Sequence, residues 1–286
     1  MRIIYDMKYP IIDRNMSDCQ MGARKRKGCK NNIFIINGII HEALKSKRMK
    51  PVQLQIYDYQ QMFDSIDLEQ ALSDIYDVGV NDDTFSLLYQ ANMAVKTPNG
   101  LTDRQTVKNI VLQGDTWGSI LASNQVDSIG KECLAAGHSY LYKNKLPVGF
   151  LGLVDDVIGI TEAGIDAVKM NAFLNVKSAE KTLQFGPTKC KTMLIGKNSA
   201  SIIDSDLMVD NWKIEYEDNS TTGEANLVET YFGQITIKKT DEQKYLRFVL
   251  SSKGDNVAKI KKKSIGIVRK IINMQLKCII ILKNLN

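Results

Sequence analysis

The sequence predicts an α+β fold on a split β-α-β-β-α-β sheet, and three stretches predict it. Val52, Leu54 and Ile56 alternate with Gln53, Gln55 and Tyr57, the two-residue period of a strand that ends at Asp58. Val148 to Ile160 is apolar almost throughout, apart from Asp155 and Asp156 in its middle. That pattern suits two buried strands joined by a tight turn. A helical face (Ile165, Val168, Ala172, Phe173, Val176) and a strand around Met193 to Ile195 then follow. With helices between the first strand and the hairpin, the order matches a split βαβ sheet. Order alone names no function, because unrelated proteins share it.

The remaining elements read as follows. The first residues, MRIIYDMKYPIIDRN, carry charges inside their apolar stretches and are not a signal peptide. Residues 17–30 are polar and basic with two glycines, as in a loop; standing alone, they would be a solvated charged loop. A helix from about Asn31 is marked by Ile36, Ile39, Ile40, Ala43 and Leu44, with Asn31 or Asn32 to cap it. Beyond Asp58, Leu68, Leu72, Ile75 and Tyr76 form another helix face, and Phe85, Leu88 and Tyr89 a short one. Pro98-Asn99-Gly100 marks a turn between two extended runs. After Gly114 a helix carries Trp117, Ile120, Leu121, Ile129 and Cys133. Residues 200–252 read as a small strand-rich appendage. From Asn256 a basic amphipathic helix sets Ile260, Ile265, Val268, Ile271 and Ile272 among lysines and arginines.

Bulk properties narrow the class. The chain has 286 residues, 44% of them hydrophobic, enough for a real core, and 24% charged. A net charge of +6 permits an anionic partner without demonstrating one. Five cysteines and two histidines form neither zinc-ligand spacing nor a disulfide framework, so a reducing, intracellular setting is expected. The longest apolar run near the C-terminus, Cys278 to Leu282, is too short to span a bilayer, and a soluble chain without a membrane partner is expected.

The chemistry-bearing residues are three carboxylates. Asp58 ends one strand, and Asp155 and Asp156 sit at the hairpin turn. In a split βαβ sheet the first and middle strands are neighbours, so these groups meet in space. Converging carboxylates repel unless a cation lies among them. Hard oxygen ligands select magnesium, and a pair of such ions suits in-line phosphoryl transfer. The plainer reading of an Asp-Asp pair in a hairpin is turn chemistry, and of an Asp at a strand end simple solvation. The neighbouring residues shift the balance.

Those neighbours resemble one family. YDYQQMFDSI (Tyr57 to Ile66) resembles the first catalytic box of reverse transcriptases from non-LTR, LINE-like retrotransposons. NIVLQGDTWGSIL (Asn109 to Leu121) is similar to their Gln-Gly box, and GFLGLVDDVIGIT (Gly149 to Thr161) to their Asp-Asp hairpin. DCQMGARKRKGC (Asp18 to Cys29) is similar to a fingers segment. KCKTMLIG (Lys189 to Gly196) and KYLRFVLS (Lys244 to Ser251) resemble the later palm and the primer-grip hairpin. The boxes run in the family's order from about Tyr9 to Ile272.

The resemblance implies a right-hand polymerase palm. Residues 1–50 would be partial fingers, 51–200 the palm, 201–255 a strand-rich primer-grip region and 256–286 the start of a thumb. It implies Asp58 and Asp155 as principal ligands of two Mg2+ ions and Asp156 as a third carboxylate. Phe63 would be an aromatic gate against a ribose 2′-hydroxyl, although without Asp58 it reads as a core aromatic. Gln113 and Gly114 would floor the incoming base pair, where glycine permits close approach. Arg24, beside Lys25 and Arg26, would contact triphosphate or template phosphates. Lys189 or Lys191 would protonate the leaving pyrophosphate. RNA template, DNA primer and deoxynucleoside triphosphates are the implied partners, with the rest of a retrotransposon polyprotein as a further one.

Departures from the pattern are Leu153 in place of an aromatic, Thr116-Trp117-Gly118 in place of a proline-containing run, and Arg247 in place of glycine. None removes a carboxylate. A fragment that keeps the fold and binds nucleic acid without polymerising is the competing expectation. An interaction module on the same sheet gives no reason for the acidic positions to match in order.

Overall fold

Local preference builds the elements of the chain, and two apolar faces of one sheet hold them together. The computed structural model describes residues 2–45, 50–80, 83, 84, 88, 92, 93, 96, 97, 100, 101, 105, 106, 117–186, 188–196, 206–218, 225–246 and 248–253. Gln113, Gly114, Arg247, the helix expected around Phe85 and the basic helix expected from Asn256 lie largely or wholly outside these residues. The helices are α1 (Arg2–Asn15), α2 (Cys29–Lys45), α3 (Met62–Ser65), α4 (Leu68–Asp77), α5 (Gly118–Ala135) and α6 (Ile165–Glu180). The first strand is β1 (Val52–Asp58). Four two-residue strands follow: β2 (Asn92–Met93), β3 (Lys96–Thr97), β4 (Gly100–Leu101) and β5 (Gln105–Thr106). Next come β6 (Tyr140–Tyr142), β7 (Leu146–Val148), β8 (Phe150–Leu153), β9 (Asp156–Glu162) and β10 (Lys191–Ile195). The last are β11 (Leu207–Asp218), β12 (Ala225–Lys239), β13 (Glu242–Tyr245) and β14 (Phe248–Ser251).

The main sheet has six strands in the order β11-β12-β10-β1-β9-β8. β1 runs antiparallel to both β10 and β9, whereas β10 and β12 are parallel, which makes the sheet mixed. First and middle strands are therefore side by side, as the split βαβ order predicts. The strand-rich segment after residue 200 does not stand apart, because β12 continues this sheet through Lys191 and Thr192.

Period two along β1 sends its residues to two buried faces. Val52, Leu54 and Ile56 join Ile158, Ile160, Met193 and Ile195 beneath Ile33, Ile36, Ile39 and Ile40 of α2. Tyr57 joins Val157, Phe150, Met170 and Leu174 on the side of α5 and α6. The intervening glutamines are buried too, and each has a partner. Gln55 Nε2 donates to the Ala167 carbonyl at 2.7 Å, and Gln53 Nε2 to Thr192 Oγ1 at 2.9 Å. Alternation in β1 thus separates an aliphatic layer from a hydrogen-bonded one.

Two elements depart from the sequence pattern. Residues 2–15 form α1 although Pro10 lies inside it, and Tyr9, Ile12 and Met16 bury one side against the core around Tyr57. Proline withholds one amide and disfavours a helix interior, so the sequence does not advertise this helix. α2 begins at Cys29, slightly ahead of Asn31. Asn32 is wholly buried within it instead of capping it. Among the described residues, no helix is long and apolar enough to cross a membrane.

Candidate active site

The candidate site forms where β1 ends against the β8–β9 hairpin. Asp58 is opposite Asp156 in the antiparallel register, so both side chains leave the same face of the sheet. Leu153 pairs with Asp156 across a loop of only Val154 and Asp155, which puts Asp155 at the tip and Asp156 at the first position of β9. Asp155 is exposed, and Asp58 and Asp156 are half-buried. Val154 adopts φ +59°. A β-branched residue rarely occupies that left-handed region, so the turn is held in a strained form.

The three acids act on one another electrostatically. Partial burial, then the charges of Asp155 and Asp58, push the Asp156 carboxyl up to about 6, against the opposing pull of Lys189. Lys189 Nζ lies 2.9 Å from Asp58 Oδ1, and the Asp58 carboxylate raises the lysine above its ordinary pKa. Lys191 points elsewhere, donating to the Thr188 carbonyl at 2.9 Å. Of the two lysines the resemblance nominates, only Lys189 reaches a catalytic-box carboxylate.

Lys189 is brought there by the stretch before β10. Gln60 N donates to the Gln184 carbonyl and Gly186 N to the Asp58 carbonyl, both at 2.8 Å. Phe185 stacks on Tyr57 and Tyr59, with ring centroids 4.5 and 4.7 Å away. A Cβ on Gly186 would reach 3.5 Å from the Asp58 carbonyl oxygen, so the loop lies close against the strand end.

Phe63 is in α3, which begins just after Gln61 turns the chain with φ +46°. Its ring is partly buried against the cluster that contains Tyr59, Met62 and Ile66. The ring has a core contact and an accessible part.

Arg24 differs from expectation. Its guanidinium is buried and bound to Asp13 Oδ1 at 2.6 Å, the Asp13 carbonyl at 2.8 Å, the Gln20 carbonyl at 3.0 Å and the Ser17 carbonyl. Arg24 folds the basic loop and is not presented to a phosphate. A planar guanidinium satisfied on several edges is a strong internal tie. Its neighbours Lys25 and Arg26 are the exposed cations of the loop.

Three buried polar side chains brace the hairpin, a role that the sequence assigned to none of them. Gln20 Oε1 accepts from Val154 N at 3.2 Å and from Gly22 N at 2.7 Å. Asn32 Nδ2 donates to the Gly152 carbonyl at 3.1 Å and to Tyr245 Oη at 3.4 Å. Tyr245 in turn donates to the Asp156 carbonyl at 3.4 Å. Gln20 and Tyr245 lie inside two of the family-like segments, but no periodicity marks them as partners of a turn more than eighty residues away.

As a ligand set, three carboxylates fit a hard divalent cation in kind. The Lys189 ammonium partly neutralises the Asp58 carboxylate. As the side chains stand, no group of three His, Cys, Asp or Glu among the described residues is placed to hold a metal ion. Lys189 is paired with one oxygen of the Asp58 carboxylate, Oδ1.

No family model matches the chain, and no curated protein matches it. Solved structures of similar shape include apo telomerase from Candida tropicalis truncated from its C-terminal domain (TM-score 0.49, 13% identity). The match covers 79% of this chain and 44% of that one. Telomerase from Candida tropicalis in complex with a TWJ fragment of telomeric RNA gives TM-score 0.48 and 15% identity over 79% of this chain and 36% of that one. The corresponding Candida albicans complex gives 0.47 and 14% over 71% and 34%. The chain spans less than half the length of these structures.

Proposed function

We propose that this chain is the palm-centred region of an RNA-directed DNA polymerase of the retrotransposon type. The observation that carries the reading is the register match of Asp58 with Asp156, with Asp155 in the adjoining turn and Lys189 on Asp58. Those are the positions at which the family-like boxes place their catalytic carboxylates, and nothing in local sequence obliges them to meet.

In this reading Asp58 and Asp155 hold two Mg2+ ions, with Asp156 as the weaker third group. Bound there, the ions would supply charge neutralisation and alignment for in-line attack of a primer 3′-hydroxyl on a deoxynucleoside triphosphate. The chain's own side chains do the rest. Lys189, released from Asp58, would give a proton from Nζ to the departing pyrophosphate oxygen. Phe63 excludes a 2′-hydroxyl by occupying its space. Lys25 and Arg26 neutralise phosphates of template or triphosphate. Gln113 and Gly114 keep the role of floor under the base pair, and the polyprotein partner remains part of the proposal.

The lysine on Asp58 also favours a second reading, in which the fold binds nucleic acid without polymerising, because an internal cation already satisfies the carboxylate. Primer extension on an RNA template with Mg2+ separates the two. Extension that disappears in Asp58→Asn and in Asp155→Asn, with circular dichroism unchanged, is expected. Retained synthesis in either variant rejects the polymerase reading, and saturable primer-template binding with no extension by the unsubstituted chain supports the second reading.

A further inference from the structure

We propose that Gln20 is a positioning residue that locks the basic loop of residues 17–28 to the turn bearing Asp155, so that loop cations and turn carboxylates are held as one unit. The inference rests on the proposed function for its purpose, but not for its geometry. Gln20 is fully buried. Its single carboxamide oxygen accepts from an amide on each side of the junction, Gly22 N in the loop and Val154 N in the turn. Main-chain bonds run alongside: Met21 N donates to the Gly152 carbonyl at 2.9 Å, and Gly152 N to the Cys19 carbonyl at 2.8 Å.

Steric fit closes the same junction. A Cβ at Gly22 would collide with Val154 N and come within 2.7 Å of Val154 Cγ2, and one at Gly152 would come within 2.8 Å of Gln20 Nε2. Loop and turn touch with no room for a side chain on either glycine. Val154 persists at φ +59° only if its surroundings over-determine it, and the Gln20 oxygen is a polar partner aimed at that residue's own amide. Arg24 anchors the far side of the loop to Asp13, Ser17 and Gln20, while Lys25 and Arg26 are exposed and Lys25 Nζ lies 5.0 Å from the centroid of the Tyr9 ring. The distance between those cations and Asp155 is thus set through Gln20, although Gln20 itself reaches no solvent.

The test uses the whole chain and two readouts: hydrogen exchange at the Val154 amide, and Mn2+ titration followed by electron paramagnetic resonance. In Gln20→Met, which keeps the length but removes the acceptor, Val154 exchange should accelerate at least about tenfold while β1 and α6 exchange as before. Mn2+ affinity should fall about tenfold, the range for residues that orient metal-binding groups from behind. Unchanged Val154 exchange, acceleration spread evenly over the chain, or Mn2+ affinity within about twofold of the unsubstituted chain overturns the proposal. If the unsubstituted chain binds no Mn2+, the polymerase reading fails by itself, and Val154 exchange alone decides the lock. Should Gln20→Met not fold, Gly22→Ala presses on the same contact from the loop side. It should accelerate Val154 exchange locally, and an unaltered rate there overturns the lock.

Discussion

Asp156 is penalised as a charged group, and that penalty is measurable in stability. Its folded pKa of about 6 exceeds the ordinary 3.8, so the folded chain binds this proton more tightly than the unfolded one. The group therefore stabilises the fold most below about pH 4, and that contribution is lost as pH rises towards 6. Asp156→Asn should be more stable than the unsubstituted chain at pH 7 by on the order of 1 kcal/mol, after allowance for solvent screening of a half-exposed carboxylate. Urea denaturation at pH 7 and pH 4 checks this, since the difference should vanish at the lower pH. Phe63 belongs to the same scale. Its ring has a core contact and an accessible part, so Phe63→Val should admit ribonucleotides more readily and destabilise by about 1 kcal/mol. A competition assay between the two nucleotide types with an unchanged ratio would leave Phe63 a packing residue alone.

Elements meet here through glycines where side chains would not fit. α5 crosses the sheet at Gly130, where a Cβ would lie 2.6 Å from Phe150 Cδ1 and 3.0 Å from its Cε1. Phe150 is wholly buried and opens β8, the strand leading into the Val154–Asp155 turn. Gly130→Ala gains helix propensity but should lose about 1–3 kcal/mol to overpacking. Thermal denaturation reads the net sign. Gain of stability would mean that Phe150 swings aside without strain. The α4 start shows the opposite, local case: Asp67 accepts from Gln70 N at 3.0 Å, a cap formed within one turn of chain.

Charge acts on the scale of the whole molecule. A net +6 does not define a binding surface, but the loop on the hairpin gives it one local focus. Lys27 is paired with Asp18 at 2.7 Å, whereas Lys25 and Arg26 are exposed. Binding to an RNA–DNA primer-template should weaken steeply with salt. Each lost phosphate contact should flatten the log–log slope by about 0.7–0.9. Lys25→Ala with Arg26→Ala should therefore lower the slope by roughly 1.4–1.8, and Lys27→Ala by much less. Equal effects from all three would show that the Asp18 pair does not persist in solution.

Much of this was legible beforehand because it is local. The strand ending at Asp58 and α6 follow from periodicity, and the Asp-Asp hairpin from an apolar run broken by two turn residues, signals that each segment carries within itself. Their order predicted that β1 and β9 would be neighbours, and so that Asp58 would meet Asp156. α1 was not legible, since Pro10 argues against a helix that only burial of Tyr9, Ile12 and Met16 stabilises. Nor could composition tell that Arg24 turns inward while Lys25 and Arg26 stay exposed, or that Lys189 and not Lys191 reaches Asp58. The sequence by itself determined which residues could bear charge and which strands they would end. Tertiary structure decided which charges face one another and what braces them. Strand registers and buried hydrogen bonds such as Gln20 to Val154 join residues far apart in the chain, and no local pattern encodes such a pairing.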